Sequence, residues 1–294
     1  EFRRVLFRSA YRSNRITDDS WIDLSGTRHF SLLPNLSYFV GASFPFSRLA
    51  DYSQTTLLLP EQPSETQVAM MLNLAARSGN STGKALANNR VILGVPDGGA
   101  NAPLLRDRDV LAVSSLEQQA FNQRLLAYSP YAPVDNLLSV REPTLWEKIQ
   151  RRLSGDWASD GVDADRYFSS SSAWRGFISY RSPWNPQRVV VVAMASSDDQ
   201  LAKLEDDLNS PRINAGIRGD TAVITSDNGV RSFQVSTPFP SGQMPWYMMA
   251  VWYANQHSGL LAVLGLITTS ILGLALTAMF KRHARKRLDS GESQ

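Results

Sequence analysis

Residues 55–79 read TTLLLPEQPSETQVAMMLNLAARSG, and this stretch decides how the chain is read. An apolar, β-rich run, Thr55–Leu59, is closed by Pro60. After Pro63, Ser64 and Gln67 stand three apart, the spacing of a capping box in which each side chain satisfies a backbone N–H of the first helical turn. Val68, Met71, Leu72 and Ala75 then recur at helical spacing, and Gly79 is expected to end the helix. A fully apolar strand has no polar side to turn to water, so it needs cover on both faces. A strand followed at once by a capped helix is the first half of a β-α-β unit.

Outward from this unit the alternation continues. Residues 90–95 and 109–113 read as strands, and Ser115 to Gln118 as a second capping box opening a helix through about Leu126. A Pro- and Ser-rich segment (129–139) interrupts, followed by a short amphipathic helix at 145–153 and a polar loop at 156–172. Residues 177–180 and 189–194 are expected strands. Residues 197–208 form a charged helix with apolar Leu201, Leu204 and Leu208, stopped by Pro211. Two strands, Thr221–Thr225 and 230–235, flank Asp227-Asn228-Gly229 as a hairpin. Short apolar strands between helices imply a mostly parallel sheet with helices on both faces and an antiparallel hairpin at its edge. Nearer the start, 20–24 alternates as a strand would, and a loop is expected at 41–46.

The 294 residues carry 30 Lys/Arg, 27 Asp/Glu, three His and no Cys, for a net charge of +3. Without cysteine there is no disulfide, thiolate nucleophile or iron–sulfur site. His29, His257 and His283 are too scattered to suggest a transition-metal centre. Residues 1–15 and 281–287 hold ten of the basic residues and one acid, leaving 20 basic and 26 acidic, or −6, elsewhere. The basic charge therefore belongs to the two ends, and no nucleic-acid surface is expected. Residues 1–9, EFRRVLFRS, read like adaptor sequence, since Glu-Phe is what an EcoRI site encodes.

The C-terminal end gives the strongest signal. Residues 259–280, GLLAVLGLITTSILGLALTAMF, are 22 in a row without a charge. As a helix they extend about 33 Å, enough to cross a hydrocarbon core of about 30 Å. Lys281, Arg282, Arg285, Lys286 and Arg287 follow at once, whereas residues 232–258 contain no Lys or Arg. The positive-inside bias places the C-terminus in the cytoplasm and the body outside it. Upstream, Trp246, Tyr247, Trp252 and Tyr253 suit a membrane–water interface, so 243–258 is expected to be an interfacial amphipathic helix. Within the span, Gly265, Thr269, Gly273 and Thr277 recur every fourth residue, a stripe of small side chains against which another helix can pack.

Other motifs carry less. Residues 79–83, GNSTG, match the G-x-S-x-G string, but a helix rather than a strand precedes Ser81, and no histidine follows before His257. The segment is no P-loop either, with three residues between its glycines and no Ser/Thr after Lys84. After the first strand, Pro60, Glu61 and Pro63 stand where a nucleotide or flavin phosphate would need N–H donors, so no cofactor is expected. Asp198-Asp199 reads as helix N-terminal acid, and Asp18-Asp19 and Asp206-Asp207 as ordinary acidic pairs. Trp174, Tyr180 and Trp184 flank the turn RSPWNP; Trp174 and Trp184 are candidates for contact with a glycan or a protein partner.

Taken together, several strings resemble one family: DSWIDLSG (19–26), GASFPFSRL (41–49) with Ala50-Asp51, TLLLP (56–60), Ser182-Pro183-Trp184, RSFQV (231–235), Met244-Pro245-Trp246, and the span with its basic tail. They resemble the periplasmic, membrane-anchored B subunit of bacterial cellulose synthase (BcsB), from about residue 16 onward. That family alternates carbohydrate-binding jelly-roll domains with flavodoxin-like α/β domains. The resemblance implies a piece of a longer protein. It divides as 1–15 non-native or linker sequence, 16–40 the end of a β, carbohydrate-binding-like domain, and 41–240 a flavodoxin-like domain. The interfacial helix (243–258), transmembrane helix (259–280) and basic cytoplasmic tail (281–294) complete it. It implies a non-catalytic inner-membrane subunit that packs on the synthase's catalytic subunit and aids passage of the nascent β-1,4-glucan, with further copies of itself as an additional partner. The alternative is an independent single-span periplasmic sensor with a flavodoxin-like ligand domain. Family members are often labelled cyclic-di-GMP-binding. Here Arg4 to Arg8 and Arg8 to Arg12 fit half of that ligand's signature, but Arg28 stands where its second half needs glycine. The label therefore reads as an association with the regulated partner.

Overall fold

The computed structural model describes residues 30–289 apart from 50, 85, 98–101, 135, 146–147, 150–159, 171–172, 226, 228 and 257. The arginine-rich start, Asp18-Asp19, the expected strand at 20–24 and the 23–28 string lie outside the described residues. So does most of the expected helix at 145–153, of which 145, 148 and 149 are helical.

The first half runs β1 (Phe30–Leu33), α1 (Leu36–Ala42), a 3-10 turn (Phe46–Arg48), β2 (Thr55–Leu59), α2 (Glu65–Thr82), β3 (Arg90–Leu93), α3 (Pro103–Arg106), β4 (Asp109–Ser115), α4 (Gln119–Leu125), β5 (Tyr131–Val134) and β6 (Leu137–Val140). There follow α5 (Asp160–Ser170), β7 (Trp174–Arg181), β8 (Val189–Ala195), α6 (Asp198–Leu208), α7 (Pro211–Gly216), β9 (Thr221–Thr225), β10 (Val230–Phe233) and β11 (Phe239–Gly242). Two helices close the chain, α8 (Trp246–Gln256) and α9 (Ser258–Asp289). Seven strands form one sheet in the order β10-β9-β7-β8-β4-β2-β3, and β1 with β11 and β5 with β6 make two-stranded ribbons.

The helices do lie on both faces. Leu57, Leu59, Leu111, Val113, Val191 and Ala193 share a core with Phe39 of α1, Met70, Met71 and Leu74 of α2, and Leu201, Leu204 and Leu208 of α6. The intervening residues Leu58, Val110, Ala112, Val190, Val192 and Met194 pack on the opposite side with Leu105 of α3, Phe121 and Leu125 of α4, and Phe168 of α5. This is the alternation of a pleated strand applied to residues that are apolar at every position.

The pairing corrects the expectation of a mostly parallel sheet. β3, β2, β4 and β8 pair in parallel, but β7 is antiparallel to both β8 and β9, as β9 is to β10. The cause is connection length. Between Arg181 and Val189 there is room for a turn, closed by the Ser182 N–H on the Arg188 carbonyl (2.8 Å), but not for a crossover helix.

Local corrections follow the same logic. The Ser64–Gln67 capping box is present, yet α2 runs past Gly79 to Thr82 and is capped by Gly83 in the left-handed region (φ 65°). Its buried stripe is Gln67, Met70, Met71, Leu74 and Ser78, whereas Leu72 is 64% exposed. Both stripes have helical spacing, and only the position of the sheet selects between them. Ser115 is not a cap: it belongs to β4, and α4 starts later without a side-chain cap. Residues 129–139 contribute a hairpin instead of a break, and the expected loop at 156–172 contains α5, which buries Ala164 and Phe168. The loop at 41–46 is partly helical, since α1 reaches Ala42.

Two buried ion pairs tie elements across the sheet. Arg175 of β7 forks onto Asp207 of α6, with Nη2 to Oδ1 at 3.1 Å, and Nη1 also donates to Gln200. Asp109, 1% exposed, accepts from the Arg188 guanidinium and the Val189 N–H, fixing the start of β8 beside the start of β4. The position of α2 can be tested by truncation. Leu74→Ala should lower unfolding free energy by about 2–5 kcal/mol through cavity formation, and Leu72→Ala by no more than about 0.5 kcal/mol. Denaturant unfolding of the two variants measures both; equal losses would mean that the helix is rotated from the orientation described.

Candidate functional site

In an α/β sheet a ligand crevice forms beyond the carboxyl ends of the strands where the crossovers diverge, here beyond β2 and β4. Side chains of the chain itself bond to one another there. Ser64 and Gln67 take up the first-turn N–H groups of α2. Gln67, 0% exposed, also donates through Nε2 to Ser115 Oγ (3.3 Å) and Asp198 Oδ1 (3.0 Å), bridging the ends of β4 and α6. Ser81 lies inside α2 and donates to the Ser78 carbonyl at 2.9 Å, so it has none of the strained strand–turn–helix geometry of a nucleophile elbow. Among the described residues no group of three or more His, Asp or Glu is placed to hold a metal ion.

The proposed aromatic contacts need correction. Trp174 and Trp184 are 1% and 7% exposed, so neither indole face is open to a glycan ring in this structure. Trp174 stacks edge-on against Phe168 at 4.9 Å, and Trp184 is held in its own turn, its backbone N–H donating to Ser182 Oγ. Tyr180 is also buried, donating to the Leu125 carbonyl at 2.9 Å.

The distinctive surface lies where the chain leaves the sheet for its last two helices. Asp220 precedes β9, is 0% exposed, and accepts from the Val235 N–H (2.8 Å), the Ser236 N–H (2.6 Å), Gln234 Nε2 (3.2 Å), Thr221 Oγ1 (3.0 Å) and Ser236 Oγ. It thus gathers residues 234–236, the segment that turns out of β10. Burial pushes its carboxyl up to about 6, against five donors that favour the charged form. Beyond it β11 pairs with β1, Arg181 lies 4.7 Å above the Phe239 ring, and Arg48 Nη2 donates to Ser241 Oγ. This neck was not legible in the sequence, because its partners lie far apart along the chain.

From the neck, α8 presents Trp246, Tyr247 and Tyr253 at 82%, 52% and 51% exposure. Trp252 instead meets Phe30 of β1 edge-on at 5.9 Å. Residues of α9 from Leu261 to His283 have a mean hydropathy of 2.1, and none of that segment is buried. It is long and apolar enough to cross a membrane. Gly265 and Gly273 have open space where a Cβ would stand. Thr269 and Thr277 donate their hydroxyls at 2.8 Å to the carbonyls of those same glycines. Thr268 and Ser270 are satisfied in the same way one turn back. The polar atoms of the apolar segment are thereby internally bonded, as hydrocarbon requires. Lys281, Arg282, Arg285, Lys286 and Arg287 all lie within the same unbroken helix.

Comparison with known proteins gives a consistent result. The family described as "Cellulose synthase BcsB, second FD domain" matches residues 29–193. A protein named "Cyclic di-GMP-binding protein" from Salmonella typhimurium (strain LT2) is 31% identical over 281 residues, covering 93% of this chain and 34% of its own length. One of the same name from Xanthomonas axonopodis pv. citri is 27% identical over 283 residues, and "Cellulose synthase 2" of Novacetimonas hansenii is 28% identical over 279. The chain spans about a third of the Salmonella and Xanthomonas relatives and 17% of the Novacetimonas one.

The Asp220 junction predicts a pH dependence of definite sign. Its carboxyl ionises near 3.8 when unfolded and near 6 when folded, so between those values the native state holds more protons. Its contribution to stability is therefore largest below about pH 4 and is lost as pH rises through 6. Relative to the parent chain, Asp220→Asn should gain about 2–3 kcal/mol on going from pH 4 to pH 7. Unfolding of both proteins across that range measures it; parallel stability curves would show that Asp220 is charged throughout.

Proposed function

The chain belongs to the cellulose synthase BcsB family, and from that premise we propose that it is the C-terminal part of a non-catalytic, membrane-anchored subunit of a bacterial cellulose synthase. Its body, with a flavodoxin-like domain that takes in β1 and α1, lies in the periplasm. Residues ahead of β1 close a preceding carbohydrate-binding-like β domain; the boundary expected at 40/41 falls earlier, because β1 pairs with β11 and Phe39 of α1 lies in the sheet's core. α8 lies at the outer interface, α9 crosses the inner membrane, and the C-terminal tail is cytoplasmic.

The observation that carries this reading is the order of exposed aromatics on α8, an uncharged 22-residue run, and five cations with none in the 27 residues before it. The small-residue stripe then supplies the contact with the catalytic subunit's membrane domain. In lipid, helices gain little from hydrophobic burial, so close backbone packing has to supply much of their attraction. The subunit acts by holding its periplasmic body where the polymer emerges and aiding its passage, and it holds no catalytic group of its own. The names of the Novacetimonas and Salmonella relatives, a cellulose synthase and a cyclic-di-GMP-binding protein, support assignment to a synthase whose catalytic partner is regulated by that nucleotide.

Two experiments test this. In intact spheroplasts an impermeant thiol reagent should label Gln243→Cys, which is exposed beside α8, and should not reach Ser293→Cys. Labelling at both positions, or the reverse pattern, would overturn the topology. Gly273→Leu should weaken co-purification with the catalytic subunit in mild detergent by about 1–2 kcal/mol, while Leu274→Ala, on a different face, should do far less. Full assembly of Gly273→Leu alongside loss in Leu274→Ala would place the contact on another face. A stable solitary protein under all these conditions would favour an independent sensor.

A further inference from the structure

We infer that the end of the sheet nearest α8 is a docking face for the anionic phosphates of the membrane surface and holds the body down on the lipid. The inference rests on the reading of α8 and α9 as membrane elements.

Arginines gather at this end. β3, β4 and β8 begin here and β7 ends here, so Arg90, Arg108, Arg188 and Arg181 stand in a row across the sheet. On five neighbouring strands about 4.8 Å apart, the row is about 19 Å wide. Arg48 and Arg106 lie beside it, on the 3-10 turn ahead of β2 and at the end of α3. Burial and the charge of nearby Arg90 hold the Arg108 guanidinium below its usual range.

The same end carries the exit towards the membrane. Arg181 lies over Phe239 and Arg48 reaches Ser241, both in β11, which leads into α8. From Phe239 to Gly242 the strand advances about 10 Å. The row therefore stands about one Debye length from the surface on which α8 lies, and long arginine side chains shorten the gap. Tyr128, 65% exposed just beyond α4 at this end, adds an aromatic of the kind found at headgroup level.

The acids at this end leave the positive charge in excess. Asp109 is taken by Arg188 at 3.1 Å. Asp160 and Asp220 accept from residues 234–236 beside β10, and Arg141 and Glu142 near the end of α4 offset one another. Arg48, Arg90, Arg106, Arg108 and Arg181 then face the exposed Asp51 and Asp107, an excess of three cations. The opposite end has the other sign: the segments leaving β2, β3, β4 and β8 bring Glu61, Asp97, Glu117, Asp198 and Asp199, with Arg124 held between Glu61 and Asp97. A guanidinium has five N–H donors in a fork that matches phosphate oxygens. Arg90, Arg108 and Arg181 each give one to a backbone carbonyl, so the fork is not used up by the bonds that position it.

The chain contains no cysteine, so one dye on Ala87→Cys, exposed close to the start of β3, reports the height of this end above the lipid. The 294-residue chain is placed in nanodiscs of phosphatidylcholine, with and without phosphatidylglycerol, carrying a headgroup-attached quencher. Phosphatidylglycerol should increase quenching, and high salt should reverse the increase. Arg90→Gln and Arg106→Gln should each lower the ratio of docked to undocked body by about two- to fivefold, while Arg124→Gln at the opposite end leaves it unchanged. Equal quenching with and without phosphatidylglycerol in the parent chain would overturn the inference, as would an equal loss in Arg124→Gln. Displacement by inorganic phosphate at matched ionic strength would overturn it too. So would unchanged quenching in Arg90→Gln/Arg106→Gln combined with lost assembly onto the catalytic subunit, which would give the face to an acidic protein surface. A parent chain that does not enter the nanodiscs would instead refute the span itself.

Discussion

Burial of β4 and β8 on both faces is the constraint from which the body follows. All seven residues of each strand are buried, and neither strand has a polar side to give to water. Two such strands cannot form the wall of a sandwich with a wet outer surface; they require helices above and below. The crossovers that deliver α2 and the helices after β4 leave β2, β4 and β8 parallel. The short turn between β7 and β8 reverses β7 against both β8 and β9, and the β9–β10 hairpin reverses β10 in turn, so this half of the sheet is antiparallel. Two ion pairs enter this interior, Arg175 with Asp207 and Asp109 with Arg188. Removing one partner of such a pair leaves a buried charge and costs several kcal/mol, so the pairs bind elements in register even if they add little net stability.

The last helix is suited to a second solvent. α9 exposes Leu, Ile and Phe all round, an arrangement untenable in water and ordinary in hydrocarbon. Between the two environments stands the neck, where Asp220 fixes the exit from β10 and the β1–β11 ribbon carries Phe30 to Trp252. A body joined to a span through such a ribbon transmits position more faithfully than one on a free linker. That suits a subunit proposed to hold a periplasmic domain over a polymer exit.

Legibility differed by the range of the forces involved. β2, the Ser64–Gln67 box, α6 with its Leu201, Leu204 and Leu208 stripe, and the apolar run of α9 are set by neighbours a few residues away, and each stands where local pattern puts it. The face of α2 was misjudged because two stripes with equal spacing compete on it and only the sheet decides. α5 was missed because DGVDADRYFSS shows only Ala164 and Phe168 as inward contacts. The indoles of Trp174 and Trp184 looked like surface aromatics, since nothing local reveals that the helix before β7 and the turn after it cover them. Asp220 had no signature at all: its five donors come from Thr221 and from Gln234 to Ser236, residues that only the hairpin brings within reach.

The central claim is that one face of α9 meets the synthase's catalytic subunit within the membrane. Site-specific photo-cross-linking tests it most directly. A photoreactive residue at position 269, on the small-residue stripe, should capture the catalytic subunit in cells producing polymer, while the same group at position 271, on the opposite face and 61% exposed in the isolated chain, should capture chiefly lipid. Capture of lipid alone at both positions, or of the catalytic subunit from 271 and not 269, would contradict the account.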